Sequence, residues 1–174
     1  MEEKQNICIE CGMCCDGTLF AFATIQAEEA LDNSFEFILQ ENEQGERSFK
    51  LGCCYLNDKV CTIYNRRPYA ICAKFKCKQL LAYFGGLVTY EQSSRVIKEV
   101  LALKETIDNY VHTFFPDIND MTFLNRLRIF WERYLLDAEP SEFLKKHKNI
   151  LIQVARYNLL INKHFYKDEV NREN

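Results

Sequence analysis

Four thiols fall within eight residues near the start of the chain: Cys8-x-x-Cys11-x-x-Cys14-Cys15. Gaps of two residues let one turn of backbone aim its sulfurs at a common centre, as in zinc knuckles and ferredoxin loops. Gly12 supplies backbone freedom inside that turn. The Cys8, Cys11 and Cys14 spacing follows the first three ligands of a bacterial ferredoxin run, but Cys15 comes at once, with no three-residue gap and no Cys-Pro. A second group follows at wider gaps: Cys53, Cys54, Cys61, Cys72 and Cys77. No cysteine lies beyond Cys77. The chemistry these residues point to is thiolate ligation of a metal ion or iron–sulfur cluster.

Charge favours the same reading. Between Cys53 and Lys78 stand Lys59, Arg66, Arg67, Lys74, Lys76 and Lys78 against the single acid Asp58, in a protein of net charge -3. Basic neighbours favour the thiolate, which is the ligating form. A four-thiolate site around a divalent ion keeps a charge of about -2, which such a segment balances. Arg67 and Tyr64 are the candidate cofactor- or substrate-binding side chains. A guanidinium grips carboxylate or phosphate in bidentate fashion, or else fixes a loop through carbonyl groups. Tyr64 is a proton donor or a packed aromatic. Cys54 is a reactive thiol or a small buried residue. His112, His147 and His164 fall in helical segments without a histidine partner at i+4, so surface or core roles are expected of them.

Other chemistries lose ground. The chain lacks the phosphate loop G-x-x-x-x-G-K-[ST], the dinucleotide turn G-x-G-x-x-G, the nucleophile elbow G-x-S-x-G and the radical-initiator spacing C-x-x-x-C-x-x-C. A sequence pI of about 5.7 argues against general nucleic-acid binding. No run of apolar residues is long enough to span a membrane, and the start, Met-Glu-Glu-Lys-Gln-Asn, lacks the features of a secretory signal. A cytoplasmic location is therefore expected. There disulfides rarely persist, and an odd count of nine cysteines does not fit a closed disulfide framework.

The elements that must position these residues are legible in outline. With 174 residues, 48% of them hydrophobic, the chain has enough for a genuine core. A cysteine-bearing region, 1–86, and a helical region, 87–174, are expected to meet at Gly85-Gly86 as one compact whole. In the first region Leu19–Ile25 reads as a strand and Gln26–Asn33 as a short helix. Phe35–Gln40 and Arg47–Leu51 read as a β-hairpin around Gly45, and Lys78–Phe84 as a short helix stopped by the glycines. In the second, Thr89 and Gln92 form a capping box ahead of a stripe at Val96, Val100, Leu103, Ile107, Tyr110 and Phe114. A second helix starting near Asn119 or Asp120 carries Phe123, Leu124, Leu127, Phe130, Trp131, Tyr134 and Leu135. A third opens at Pro140-Ser141. The expected fold is α+β and mainly helical, with a small hairpin in the cysteine-rich part packed on a bundle of about three helices.

The cysteines, with Leu56, Ile63-Tyr64, Arg67-Pro68 and Phe75 in order between them, resemble the CxxCxxCC cysteine-cluster family of the YkgJ type, described as zinc- or iron-chelating. The resemblance covers about residues 8–77. It implies eight ligands: Cys8, Cys11, Cys14, Cys15, Cys53, Cys61, Cys72 and Cys77. Cys54 is left as an extra, where the family often has proline. Eight suit two four-cysteine sites, or one centre with cysteines to spare. Zinc and iron–sulfur both accept four thiolates, and the Cys14-Cys15 adjacency tips the expectation slightly to iron–sulfur. The family is also related to flagellin lysine N-methylases, which share the cysteine cluster. Three function classes stay open: a metal-binding protein, an iron–sulfur-dependent enzyme acting on a protein or small molecule, and an interaction module built on structural zinc. The residues alone assign no reaction.

Overall fold

The structure, a computed structural model, describes residues 7–32, 34–114, 116, 122–137 and 140–166, with the side chains of 134–137, 140 and 141 set aside. The fold is α+β and mainly helical, with a small antiparallel sheet and a C-terminal helical bundle. Two compact units divide it: Cys8–Phe75, and Met1–Ile7 with Lys76–Asn174. The segment from Lys76 to Gly86 therefore belongs with the helices. Among the described residues no helix is long and apolar enough to cross a membrane.

The Cys8–Phe75 unit starts within helix α1 (Ile7–Cys11). Its three-stranded sheet has the order β1 (Phe22–Thr24), β3 (Arg47–Lys50), β2 (Leu39–Glu41), antiparallel throughout. The expected hairpin is β2–β3, with Leu39 opposite Phe49 and Glu41 opposite Arg47. Its turn is held by Asn42, whose Oδ1 accepts the backbone N–H groups of Gln44 and Glu46. The expected strand in Leu19–Ile25 is β1, paired to β3. Ala23, Ile25, Phe49, Leu51 and Tyr69 form the buried core under the sheet, with Phe37 and Cys72 packed against it. The rings of Phe37 and Phe49 lie 4.6 Å apart and those of Phe49 and Tyr69 5.5 Å apart. Burying each ring contributes about 1.5–3 kcal/mol.

The helix expected over Gln26–Asn33 does not form; the described residues there make turns. Arg47 draws out the backbone, its Nη2 donating to the carbonyls of Gln26, Ala27 and Glu29. Those oxygens are then engaged away from the i+4 amides a helix requires. Glu29 also leaves the helical pattern to accept the N–H groups of Gln26 and Ala70 through its carboxylate. A second, minimal hairpin pairs β4 (Leu56–Asn57) with β5 (Val60–Cys61) through Asp58 and Lys59, both at positive φ. A 3₁₀ turn (Tyr64–Arg66) and helix α2 (Ala70–Lys74) complete the unit.

The other unit holds α3 (Lys78–Phe84), α4 (Tyr90–Phe114), α5 (Phe123–Asp137) and α6 (Pro140–His164). The capping box forms as expected: Gln92 N–H donates to Thr89 Oγ1 at 3.2 Å, and Thr89 N–H to Gln92 Oε1 at 2.8 Å. The buried face of α4 is Ser93, Ser94, Ile97, Val100, Leu103, Ile107 and Val111. The expected stripe is right in period but displaced at its ends, where Ile97 and Val111 go inward and Phe114 is exposed. The second helix begins at Phe123; Asn119 and Asp120, expected at its start, lie outside the described residues. Glu99 pairs with Arg156 and Tyr110 with His147, so α4 and α6 run antiparallel. A buried polar chain ties three helices: Gln79 of α3 donates to Ser93 of α4 at 3.0 Å and meets His164 of α6 at 3.2 Å.

Candidate metal centre

Backbone geometry gathers the cysteines of the Cys8–Phe75 unit. Helix α1 ends where Gly12 turns to φ +66° and its N–H donates to the Cys8 carbonyl at 3.0 Å. The chain reverses there, with Cys15 N–H returning to the Gly12 carbonyl at 2.9 Å. The Cys15 carbonyl then accepts two N–H groups from the far stretch, Gly52 at 3.1 Å and Cys53 at 2.9 Å. Gly52 presents them from φ +86°, in the left-handed region that glycine takes readily. This strap joins the first cysteine group to the second.

The short hairpin does the next part. A turn closes from Leu56 N–H to the Cys53 carbonyl at 3.0 Å, and β4–β5 pairing sets Cys61 opposite Leu56. Cys72 arrives on α2, whose first N–H is capped by Glu29 at 2.6 Å, and it packs on the aromatic core. Arg67 donates to the Cys72 carbonyl at 2.8 Å and lies 4.0 Å above the Tyr64 ring. Arg67 thus braces α2 at Cys72, with the Tyr64 ring beneath its guanidinium.

Electrostatics links several of these thiols. Burial pushes the Cys15 thiol up to about 12, with Cys53, Cys61, Cys72 and Cys8 adding to the rise in that order. Burial pushes Cys72 up to about 11; Cys53 and Cys61 add to it, and the Arg67 charge opposes it. Cys53 is raised by burial, opposed by the Tyr55 N–H, and raised further by Cys54 and Cys61. Each of Cys15, Cys53 and Cys72 is thus influenced by others of the set Cys15, Cys53, Cys61 and Cys72. Cys8 joins through Cys15. Cys54 interacts with Cys53 and is not among the thiols that raise Cys15 or Cys72.

The remaining expected ligands have other settings. Cys11 is buried and Cys14 half-buried in the first loop. Cys77 lies in the helical unit, where its sulfur accepts the Leu80 N–H at 3.4 Å as the N-cap of α3. Its thiol is raised by burial, opposed by backbone N–H groups. His112 is exposed, His147 is buried against Tyr110, and His164 bonds Gln79. No disulfide joins any of the nine cysteines. Among the described residues no three His, Cys, Asp or Glu side chains already stand in a ligating arrangement.

The donor set nevertheless fits a thiophilic metal centre. Four soft sulfurs come from three separated stretches of backbone and share one half-buried region that also holds a guanidinium. As neutral thiols they gain little by meeting, and as thiolates without a cation they repel one another. A bound cation reverses that balance, because coordination deprotonates the thiol.

The sequence model of the CxxCxxCC family, "Putative zinc- or iron-chelating domain", matches residues 7–100. That is more than half of the 174 residues, and the chain belongs to this family. The match reaches beyond the last cysteine through α3 into α4. No curated protein and no solved structure matches the chain.

Proposed function

We propose that the protein binds zinc or an iron–sulfur centre through Cys15, Cys53, Cys61 and Cys72, with Cys8, Cys11 and Cys14 supplying further sulfur from the first loop. The observation that carries this reading is the backbone strap from the Cys15 carbonyl to Gly52 and Cys53, which joins the first cysteine loop to the hairpin that bears Cys61; the electrostatic coupling of these thiols with Cys72 agrees with it. Membership of a zinc- or iron-chelating family supports it. Between the two metals, the Cys14-Cys15 adjacency favours iron–sulfur, since simple zinc knuckles space their ligands apart. A zinc ion would contribute folding energy, whereas an iron–sulfur cluster would add redox or Lewis-acid capacity. The protein's own part is to hold four sulfurs on the strap, the short hairpin and α2, with Arg67 setting positive charge beside Cys72. Nine cysteines without a disulfide accord with a reducing compartment, and we assign the protein to the cytoplasm.

Anaerobic purification followed by metal and acid-labile sulfide analysis tests the proposal. Iron with sulfide in a brown protein is the expected result, and colourless protein with stoichiometric zinc would replace the metal while keeping the ligands. Cys15→Ser and Cys72→Ser are expected to lower metal content. Full metal content in both variants would refute the four-thiol set.

A further inference from the structure

Cys54 stands outside the four-sulfur set yet touches it. It is exposed at the first corner of the turn that Leu56 N–H closes onto the Cys53 carbonyl. Its Sγ lies 3.4 Å from the Glu36 carbonyl. Cys53 is the residue next to it in the chain, and the two side chains influence each other. An exposed sulfur thus adjoins one that is half-buried among Cys15, Cys61 and Cys72.

We propose that Cys54 is a peroxide-sensing thiol that, once oxidised, captures Cys53 in a vicinal disulfide and withdraws it from the metal centre. The inference rests on Cys53 being a ligand, as argued above. The oxidant is hydrogen peroxide or another hydroperoxide. The Cys54 thiolate attacks one peroxide oxygen; the S–O bond forms, the O–O bond breaks, and hydroxide leaves to be protonated to water. Cys54 is then a sulfenic acid, oxidised by an electron pair. The Cys53 sulfur, leaving the metal as thiolate, attacks the Cys54 sulfur. The S–S bond forms, the S–O bond breaks, and a second hydroxide becomes water. Overall, a pair of thiols and one peroxide give one disulfide and a pair of waters, and the metal has lost a ligand.

Geometry makes this bond easy to reverse. Adjacent Cα atoms across a trans peptide are about 3.8 Å apart, below the ~4.4–6.8 Å that most disulfides span. A strained bond at an exposed turn is readily reduced by thiol exchange, which suits a switch more than a structural crosslink.

The test uses the full chain loaded with Zn²⁺ alone and treated with equimolar hydrogen peroxide. Zinc release is followed with a chromogenic chelator, and disulfides are mapped by mass spectrometry of non-reduced peptides. Wild type should release zinc as a Cys53–Cys54 peptide lighter by a pair of hydrogens appears, and thiol reductant should restore both. Cys54→Ser, which retains a group able to reach the Glu36 carbonyl, should bind zinc as wild type does and release it several-fold more slowly. Equal release rates in the two proteins, or a disulfide that bypasses Cys54, would overturn the proposal. A wild-type chain that takes up no zinc and yet forms the Cys53–Cys54 bond would refute the ligand assignment and the release step, while leaving the pairing of these thiols established.

Discussion

The guanidinium of Arg67 donates to the backbone carbonyl of Cys72 at 2.8 Å. The same group covers the Tyr64 ring and opposes the rise of the Cys72 thiol. One side chain therefore braces the short helix that carries a proposed ligand and favours the ligating form of its sulfur. Arg67→Ala should cost about 1.5–3 kcal/mol of stability in the Cys8–Phe75 unit, the usual worth of a hydrogen bond from a charged donor. It should also weaken metal binding, since Cys72 then deprotonates without the neighbouring positive charge that favours its thiolate. Arg67→Lys should recover part of the affinity by charge and less of the stability, because a lysine lacks the planar fork. Urea unfolding and competition against a chelator of known affinity measure the two effects separately. Wild-type behaviour of Arg67→Ala in both would show that the contact is incidental.

The raised thiols predict a pH signature with a definite sign. Cys15 in the folded, metal-free chain is pushed up to about 12 from 9.0, and Cys72 to about 11. A group whose folded pKa lies above its unfolded value stabilises the fold below the unfolded pKa and loses that contribution as pH rises. The metal-free protein should therefore lose stability from pH 9.0 upward toward about 11–12. Cys15→Ser should flatten that decline relative to wild type. Metal uptake near neutral pH should release protons, about one per coordinating thiol. Calorimetry in buffers of different ionisation enthalpy reads that number, and uptake without proton release would contradict thiol ligation.

Much of this was written in the local sequence. Thr89 and Gln92 announce the start of α4 because a capping box is settled within four residues. The β2–β3 hairpin was legible because a polar turn separates two apolar stretches. The failed helix over Gln26–Asn33 was not legible, since the residue that unravels it, Arg47, lies on another strand. The same limit hid the proposed grouping of the thiols. The coupling of Cys15 to Cys53 follows a strap from its own carbonyl to Gly52 and Cys53, which spacing along the chain does not encode. Cys77 follows the cysteine pattern of the family, but its capping of α3 depends on a thiol meeting an N–H exposed at a helix start.

Gly12 is the point where the first cysteine loop reverses. It sits at φ +66°, and a Cβ there would meet Lys59 Cβ at 3.2 Å. Gly12→Ala combines a left-handed residue, costing about 1–2 kcal/mol, with a crowded neighbour. The variant should be destabilised by at least that amount and hold less metal, because Cys11 and Cys14 flank the turn. Gly45, also at positive φ but with open space around it, is the control. Gly45→Ala should lose comparable stability without losing metal, and an equal loss of metal in both variants would show that the effect is global.

The helical unit carries a separate acid sensitivity. His147 is buried, with Nδ1 2.6 Å from the Tyr110 hydroxyl of α4. The rings of Phe114, Phe130 and Phe143 surround it. Burial lowers its pKa, and Lys146 beside it on α6 lowers it further. For a base whose folded pKa is depressed, stability is full above the unfolded value of 6.5 and declines as pH falls below it. His164, also lowered by burial and by Lys163 and Lys78, contributes in the same direction. Stability measured between about pH 7.5 and 5 should therefore fall with acid before the carboxylates titrate. His147→Gln should remove part of that slope, leaving the share due to His164. Tyr110→Phe should destabilise at neutral pH by about 0.5–1.5 kcal/mol, the net worth of the lost hydrogen bond, while keeping the slope, because the charged imidazolium is still excluded by the same rings. An unchanged slope in His147→Gln would place the acid sensitivity elsewhere in the bundle.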